Sequence, residues 1–265
     1  MAVSTTRRSI VRVAAGAEPV PVPDDLAVEG PLVLGLDGDI LATLMRTPGH
    51  DLELAAGWLV AESGVRRPDD VRTLRSCRED DTDRVHVTLS PGVRPPRPRA
   101  FVTSAACGVC SADVLDLAPV AGSRPPHRPG WRVPAGVIAA LPDALRVHQR
   151  GFRRTGGMHA AALADAAGEL GPVREDVGRH NAVDKVVGAA LLAGELPAQD
   201  RLLVVSGRVS FEIVQKAVAA GVAGIVAVSA PSSLAVDLAR EYGLLLAGLV
   251  RDGRLNVYAG AELVS

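Results

Sequence analysis

Apolar residues change their spacing along the chain, and each change marks a different kind of element. Ser9 to Ala14 alternates weakly, as a strand does, and Glu18-Pro19-Val20-Pro21-Val22-Pro23 is held extended by its prolines. Pro31 to Leu36 and Ile40 to Arg46 are apolar runs flanking Asp37-Gly38-Asp39, a turn sequence that tolerates positive φ, so a hairpin is predicted. Thr47-Pro48-Gly49-His50-Asp51 closes it and opens a helix with Leu52, Leu54, Ala55, Trp58 and Leu59 on one face. Two strands, near Arg72 to Cys77 and Arg84 to Leu89, complete a small α+β unit. Pro91 to Ala106 has four prolines, three arginines and no periodic apolar face, which predicts a mobile loop. A short helix is predicted from Ser111 to Leu117, and the proline-rich Gly122 to Gly130 marks a domain boundary.

Beyond that boundary the grammar differs. Pro134 to Gln149 reads as a helix carrying Val137, Ile138, Leu141, Leu145 and Val147 mostly on one side. Met158 to Leu163 and Leu170 to Val173 straddle Asp165-Ala166-Ala167-Gly168 as a second hairpin. Three continuous apolar runs follow: Leu202 to Val205, Ile225 to Val228 and Leu244 to Val250. Amphipathic helical patterns separate them. Strands covered on both faces and alternating with helices predict right-handed βαβ crossovers in a mostly parallel, three-layer α/β/α sheet. The expected division is an N-terminal α+β domain over residues 1–130 and a second α/β domain over 131–265.

A chain of 265 residues with 48% hydrophobic and 3% aromatic residues packs its core with Ala, Val and Leu. The net charge of −1 argues against non-specific nucleic-acid binding, which needs a basic surface. No apolar run approaches the ~20 residues of a membrane span. Arg7-Arg8 is expected not to be an export signal, because the apolar run after it is broken at Arg12 and ends at Gly16-Ala17-Glu18. Three cysteines, with Cys77 far from the other two, do not read as a secreted disulfide framework. The expected location is the reducing cytoplasm.

Chemistry concentrates at Ala106-Cys107-Gly108-Val109-Cys110-Ser111, a C-x-x-C spacing. Such a pair binds a soft metal, cycles through a disulfide, or lets one thiolate work while the other assists. A helix starting at Ser111 would place partial positive charge near the thiols and favour the thiolate. Zinc shared with His159 and His180 is disfavoured, since neither a four-cysteine set nor an H-x-E with P-C-x-x-C arrangement is present.

In α/β sheets, ligands bind outside the carboxyl ends of the strands, and polar residues gather there. Gly156-Gly157-Met158-His159-Ala160 and the run Glu175 to Lys185, with Arg179 and His180, form one group. Ser206-Gly207-Arg208-Val209-Ser210 and Ser229-Ala230-Pro231-Ser232-Ser233 form another, suited to an anion cradle. The plainer alternatives are that Asp176 and the serines are helix caps and that Asp184 and Lys185 lie on a solvated face. No Walker loop or dinucleotide fingerprint is present.

Thr103 to Cys110, Gly157-Met158-His159-Ala160-Ala161, Glu175 to Lys185 and Ser206-Gly207-Arg208 resemble the FdhD family of formate dehydrogenase accessory sulfurtransferases. The resemblance runs in order from near Pro31 to the end. It implies a cytidine-deaminase-like second domain without deamination chemistry. It also implies that persulfide sulfur passes from a cysteine desulfurase to Cys107, with Cys110 assisting. The sulfur then goes to the molybdenum or tungsten of a bis-guanine-dinucleotide pterin cofactor destined for formate dehydrogenase. Leu249-Val250-Arg251-Asp252-Gly253-Arg254 aligns with the family's cofactor-binding segment, where other members carry Lys-Pro-Gly-Arg-like residues. With His159, Arg179, His180, Ser206, Arg208 and Ser229 it makes the expected cofactor-binding set, and a homodimer is implied by analogy. The residues themselves leave a thiol-disulfide oxidoreductase and a non-catalytic guanine-nucleotide-binding module as alternatives.

Overall fold

A computed structural model of the chain describes residues 3–96, 102–103, 117–118, 120–122 and 126–265. Cys107, Cys110 and the helix expected from Ser111 lie outside the described residues.

The chain opens with a two-stranded antiparallel ribbon, β1 (Thr5–Arg12) and β2 (Val20–Ala27), in register from Thr5 opposite Ala27 to Arg12 opposite Val20. Pro21 and Pro23 sit two residues apart, so their donor-less nitrogens face one edge and the ladder to β1 forms along the other. The first predicted hairpin is β3 (Gly30–Leu36) and β4 (Asp39–Arg46), with Asp37 and Gly38 at φ 50° and 99°. A helix, α1 (Asp51–Ser63), then leads to β5 (Val71–Glu79) and β6 (Thr82–Leu89). Asp80 and Asp81 join those two strands, both at positive φ, as a tight two-residue hairpin requires.

The first sheet has the order β5-β6-β3-β4-β7. Its last strand, β7 (Val102–Thr103), pairs parallel with Thr43 and Leu44 of β4. The stretch expected to be loop from Pro91 onward is therefore interrupted by a short strand. The open edge of β4 offers unpaired backbone groups for it to meet.

The rest of the chain runs α2 (Ala135–His148), α3 (Arg150–Thr155), β8 (His159–Ala164), β9 (Arg174–Asp176) and α4 (Arg179–Leu192). It continues with β10 (Leu202–Val205), α5 (Phe211–Ala220), β11 (Gly224–Ala227), α6 (Ser233–Glu241), β12 (Leu245–Arg251) and β13 (Arg254–Ala259). The second sheet has the order β13-β12-β11-β10-β8-β9. The α/β expectation holds, but the sheet is mixed rather than mostly parallel. β10, β11 and β12 are parallel, while β8, β9 and β13 join antiparallel. The connections explain this. Turns as short as Asp252-Gly253 reach only an antiparallel neighbour, whereas the three central strands are separated by helices.

Apolar side chains cover both faces of this sheet. On one face Ile138, Leu141 and Leu145 of α2 pack on Ala162, Leu202, Val204, Val226 and Leu245. The other face belongs to a core that runs from Leu203 and Ile225 through Val183 and Val187 of α4 to Leu54 and Trp58 of α1. It ends on Leu32, Leu34 and Val85 of the first sheet. α1 therefore lies between α4 and a sheet, and every residue from Leu54 to Ala61 is buried, not the single face its spacing suggested. Among the described residues, no helix is long and apolar enough to cross a membrane.

Where α1 crosses α4, the backbones touch. A Cβ on Gly57 would overlap the Asp184 carbonyl, and one on Gly188 would overlap that of Glu53. Gly188→Ala is expected to destabilise the fold by about 3 kcal/mol, the upper end of the usual cost of overpacking. Gly136 in α2 has open space around it, so Gly136→Ala should be neutral or stabilising by about 0.5–1 kcal/mol. Urea denaturation midpoints of the two variants check the contrast, and equal midpoints would contradict the close crossing.

Candidate functional site

The run Glu175 to Lys185 was expected to crowd polar groups at a helix start, and most of them turn inward. Asp176 is fully buried and pairs with Lys185 at 2.7 Å. Its carboxylate also accepts from the backbone of Thr47 at 3.0 Å and Gly178 at 2.8 Å, and from Asn181 Nδ2 at 3.0 Å. Lys185 donates in turn to the Thr47 carbonyl at 2.9 Å. Asp184 is likewise buried, against Lys216 of α5 at 2.7 Å. Burial pushes the Asp184 carboxyl up, and the Lys216 ammonium opposes that shift. The solvated-face alternative for Asp184 and Lys185 is thereby overturned, because each is buried against a counter-ion, Asp184 against Lys216 and Lys185 against Asp176.

With those groups committed to the frame, the sheet edge that carries the ends of β9, β10, β11 and β12 and the start of β8 is free for a ligand. A cleft of about 460 Å³ opens there, within the usual small-molecule range of roughly 300–1,000 Å³. Gly157, Met158, His159, Ser206, Val228, Val250, Arg251 and Asp252 line its sheet side. Asp143 and Arg146 of α2, Gln149 between the helices and Phe152 of α3 line the opposite wall. The Ser206 hydroxyl accepts from the Ala160 amide at 2.9 Å and still carries a proton to donate. Glu175 caps α3 by accepting from the amides of Gly151 and Phe152 at 2.7 and 2.8 Å.

The segment Leu249 to Arg254 is a strand end and turn, as its sequence indicated. Leu249 sits at φ 53°, with its amide on the Ser229 carbonyl at 3.2 Å, where the β12–β13 ladder shifts register. A leucine in this left-handed region costs about 1–2 kcal/mol, a strain stored at the cleft's rim. Asp252 and Gly253, at φ 52° and 69°, make the hairpin turn, a conformation proline cannot enter. Arg251 and Asp252 reach the cleft, whereas Arg254 pairs across the hairpin opposite Arg251 and is exposed.

Arg179, His180 and Arg208 do not line the cleft but stand behind it. A Cβ on Gly207 would lie 3.2 Å from His159 Nδ1 and 3.7 Å from Arg179 Cβ, so a side chain there would press on the imidazole and shift it by a few tenths of an ångström. His180 contacts Ser210 at 3.2 Å and Glu212 at 2.9 Å. The Nε of Arg179 is buried without a hydrogen-bond partner among the described residues. Burial first, then the charges of Arg179, His180 and Arg208, hold His159 below its ordinary value of 6.5. A neutral imidazole inside a cationic edge is an environment that attracts an anion.

The FdhD/NarQ family matches residues 27–265. The chain belongs to this family. The sulfur carrier protein FdhD of Streptomyces coelicolor is 48% identical over 271 residues, covering 98% of this chain and 96% of its own. The protein of the same name from Anaeromyxobacter dehalogenans is 47% identical over 262 residues, covering 91% and 88%. A crystal structure of a proposed formate dehydrogenase accessory protein from Desulfotalea psychrophila superposes with a TM-score of 0.79, covering 98% and 99% at 23% identity, and shows the same fold. Among the FdhD segments quoted above, Gly157-Met158-His159 and Ser206 meet in the cleft, while Arg208 lies outside its lining with its charge acting on His159. The α2 and α3 wall was missed. Asp143, Arg146, Gln149 and Phe152 carry no local motif and become neighbours only through tertiary packing.

Because the folded pKa of His159 lies below the ordinary 6.5, the folded chain binds fewer protons than the unfolded one. Stability linked to it is full above pH 6.5 and is lost as pH falls through the folded value. NMR titration should place the His159 midpoint below 6.5 and move it upward in Arg208→Ala, since a repelling charge is gone. A midpoint that ignores this substitution would show that Arg208 does not act on the imidazole.

Proposed function

We propose that this FdhD-family chain is a sulfur carrier and cofactor chaperone. A Cys107 thiolate attacks the outer sulfur of a cysteine desulfurase persulfide, the S–S bond breaks, and the desulfurase cysteine leaves as thiolate. The outer sulfur of the Cys107 persulfide then passes to the reduced molybdenum of a bis-guanine-dinucleotide pterin cofactor. That metal, the substrate here, supplies the two electrons that convert sulfane sulfur to sulfide, and Cys107 returns as thiolate. The cofactor goes on to formate dehydrogenase, and Cys110 assists at the thiol.

The observation that carries this reading is the convergence of His159, Ser206 and Arg251, with Arg179 and Arg208 behind them, on one sheet edge with a cleft of nucleotide scale. In the proposed complex Arg251, Ser206 and the Gly156–Gly157 backbone bind phosphate oxygens, and Arg208 and Arg179 neutralise their charge. Phe152 and Met158 supply apolar surface to a guanine. The third cysteine is poorly suited to the carrier role. Partial burial and then Glu79 push the Cys77 thiol up, which lowers its thiolate fraction.

After incubation with a desulfurase and cysteine, intact-mass measurement is expected to find one added sulfur on the chain and none on Cys107→Ala. GDP binding followed by calorimetry should weaken by roughly 10-fold or more in Arg251→Ala, the loss of a charge-assisted hydrogen bond. A persulfide that survives Cys107→Ala overturns the carrier assignment. GDP affinity unchanged in Arg251→Ala and Arg208→Ala together overturns the cleft assignment.

A further inference from the structure

The β5–β6 hairpin belongs to a different sheet from the cleft, and one of its faces carries a second concentration of chemistry. Val85 and Val87 of β6 enter the core, at 0% and 2% exposure, so the alternate residues Arg84 and His86 turn to the opposite face. Cys77 lies opposite Arg84 in the register, diagonal to His86, and Glu79 follows two residues later on the same face of β5. Among the described residues, Cys77, Glu79 and His86 bring three different donor types within 4.8 Å of one another.

We infer that Cys77, Glu79 and His86 form a binding site for a divalent transition-metal ion of the zinc type. The distances fit. His86 Nε2 lies 3.2 Å from Cys77 Sγ and 3.3 Å from Glu79 Oε1, and Sγ lies 3.5 Å from that oxygen. A tetrahedral zinc ion with bonds of about 2.0–2.3 Å separates its ligand atoms by about 3.4–3.6 Å. The three donor atoms therefore outline one face of such a tetrahedron with little movement, leaving a fourth position for water.

Charge and softness narrow the class of ion. A thiolate and a carboxylate together cancel the charge of a dication, while Arg84, 3.3 Å from Glu79, opposes any weakly held cation. Calcium and magnesium require mostly oxygen ligands, whereas sulfur with imidazole suits zinc and cobalt(II). A bound ion would clasp the edge strand β5 to β6 across the Asp80-Asp81 turn, in addition to the backbone ladder.

The test uses the full chain carrying Cys107→Ser and Cys110→Ser, so that Cys77 is the only thiol of the three, stripped by a chelator and titrated with Co²⁺. One equivalent of Co²⁺ is expected to give the near-ultraviolet thiolate-to-cobalt band and the intense visible absorption of a tetrahedral site, and Zn²⁺ should displace it. Cys77→Ser should abolish the ultraviolet band, and His86→Ala should weaken binding by at least about 10-fold. Glu79→Gln keeps the shape, removes the charge and should also weaken binding. Far-ultraviolet circular dichroism confirms that each variant is folded. Absence of a thiolate–cobalt band in the folded background, or its survival in Cys77→Ser, would overturn the site and leave only a hydrogen-bonded trio. Either outcome is independent of sulfur transfer through Cys107.

Discussion

A carboxylate and an ammonium taken out of water cost several kcal/mol each unless hydrogen bonds meet their remaining lone pairs and protons. Asp176 and Lys185 are both removed, at 0% and 1% exposure, and both are met. Their partners come from the two halves of the chain: Gly178, Asn181 and the Glu175 carbonyl on one side, the amide and carbonyl of Thr47 on the other. The buried pair is fully met only when the loop after β4 lies against the start of α4, so desolvation becomes a condition on how the two sheets sit. The glycine crossing of α1 and α4 supplies the contact distance, and the ion pair supplies the register. Glu53 adds to the same junction. Burial alone would raise its carboxyl, but bidentate bonds from Arg174 at 2.5 and 2.8 Å, with His50, bring it down to about 2. It stays ionised through the range in which proteins work.

This junction also fixes the site. Asp176 is the residue opposite His159 in the β8–β9 register, and Arg179 and His180 begin the helix that Asp176 anchors. β7 lies beside β4, and its last residue, Thr103, stands four positions before Cys107 in sequence. The strand that receives the approach to the cysteines is therefore the one whose far end is latched to the cleft edge. The short strand β7 and the cleft edge are thus referred to one frame by a buried ion pair.

Much of this was legible where structure is local. Asp37-Gly38 announced its hairpin because positive φ is a property of the turn itself, and continuous runs such as Leu202 to Val205 announced strands covered on both faces. What escaped was whatever depended on a distant partner. α1 read as amphipathic because Glu53 and Glu62 stand among its apolar residues, yet Glu53 is taken up by Arg174, 121 residues away. Asp184 read as solvated for the same reason, its Lys216 being 32 residues on, and Lys185 because its pocket is closed by the Thr47 carbonyl, 138 residues away. A charge in a helix looks exposed until its counter-ion is known. α3 was missed because a six-residue helix is too short to show a period, and β13 because the alternation of Arg254-Leu255-Asn256-Val257 spans only a few residues. The site divides in the same way. His159 and Ser206 followed from the rule that strand ends bind ligands, while Arg146 and Phe152 reach the cleft only because α2 and α3 fold over it.

A net charge of −1 conceals how the charge is distributed. Carboxylates such as Asp51, Glu53, Asp83 and Asp176 are neutralised at short range by Arg46, Arg174 and Lys185, within the scaffold. The arginines near the cleft edge, Arg179 and Arg208, are not consumed in this way to the same degree, and after burial their charges help to hold His159 down. A broad basic surface would draw long polyanions and be weakened steeply by salt. A few cations set around a concave, partly apolar cleft instead favour a compact anion that buries its own flat surface while its phosphates meet the arginines. Selectivity of this kind comes from where cations are set rather than from how many there are, which is why a net charge of −1 argued against non-specific nucleic-acid binding but could not locate the site.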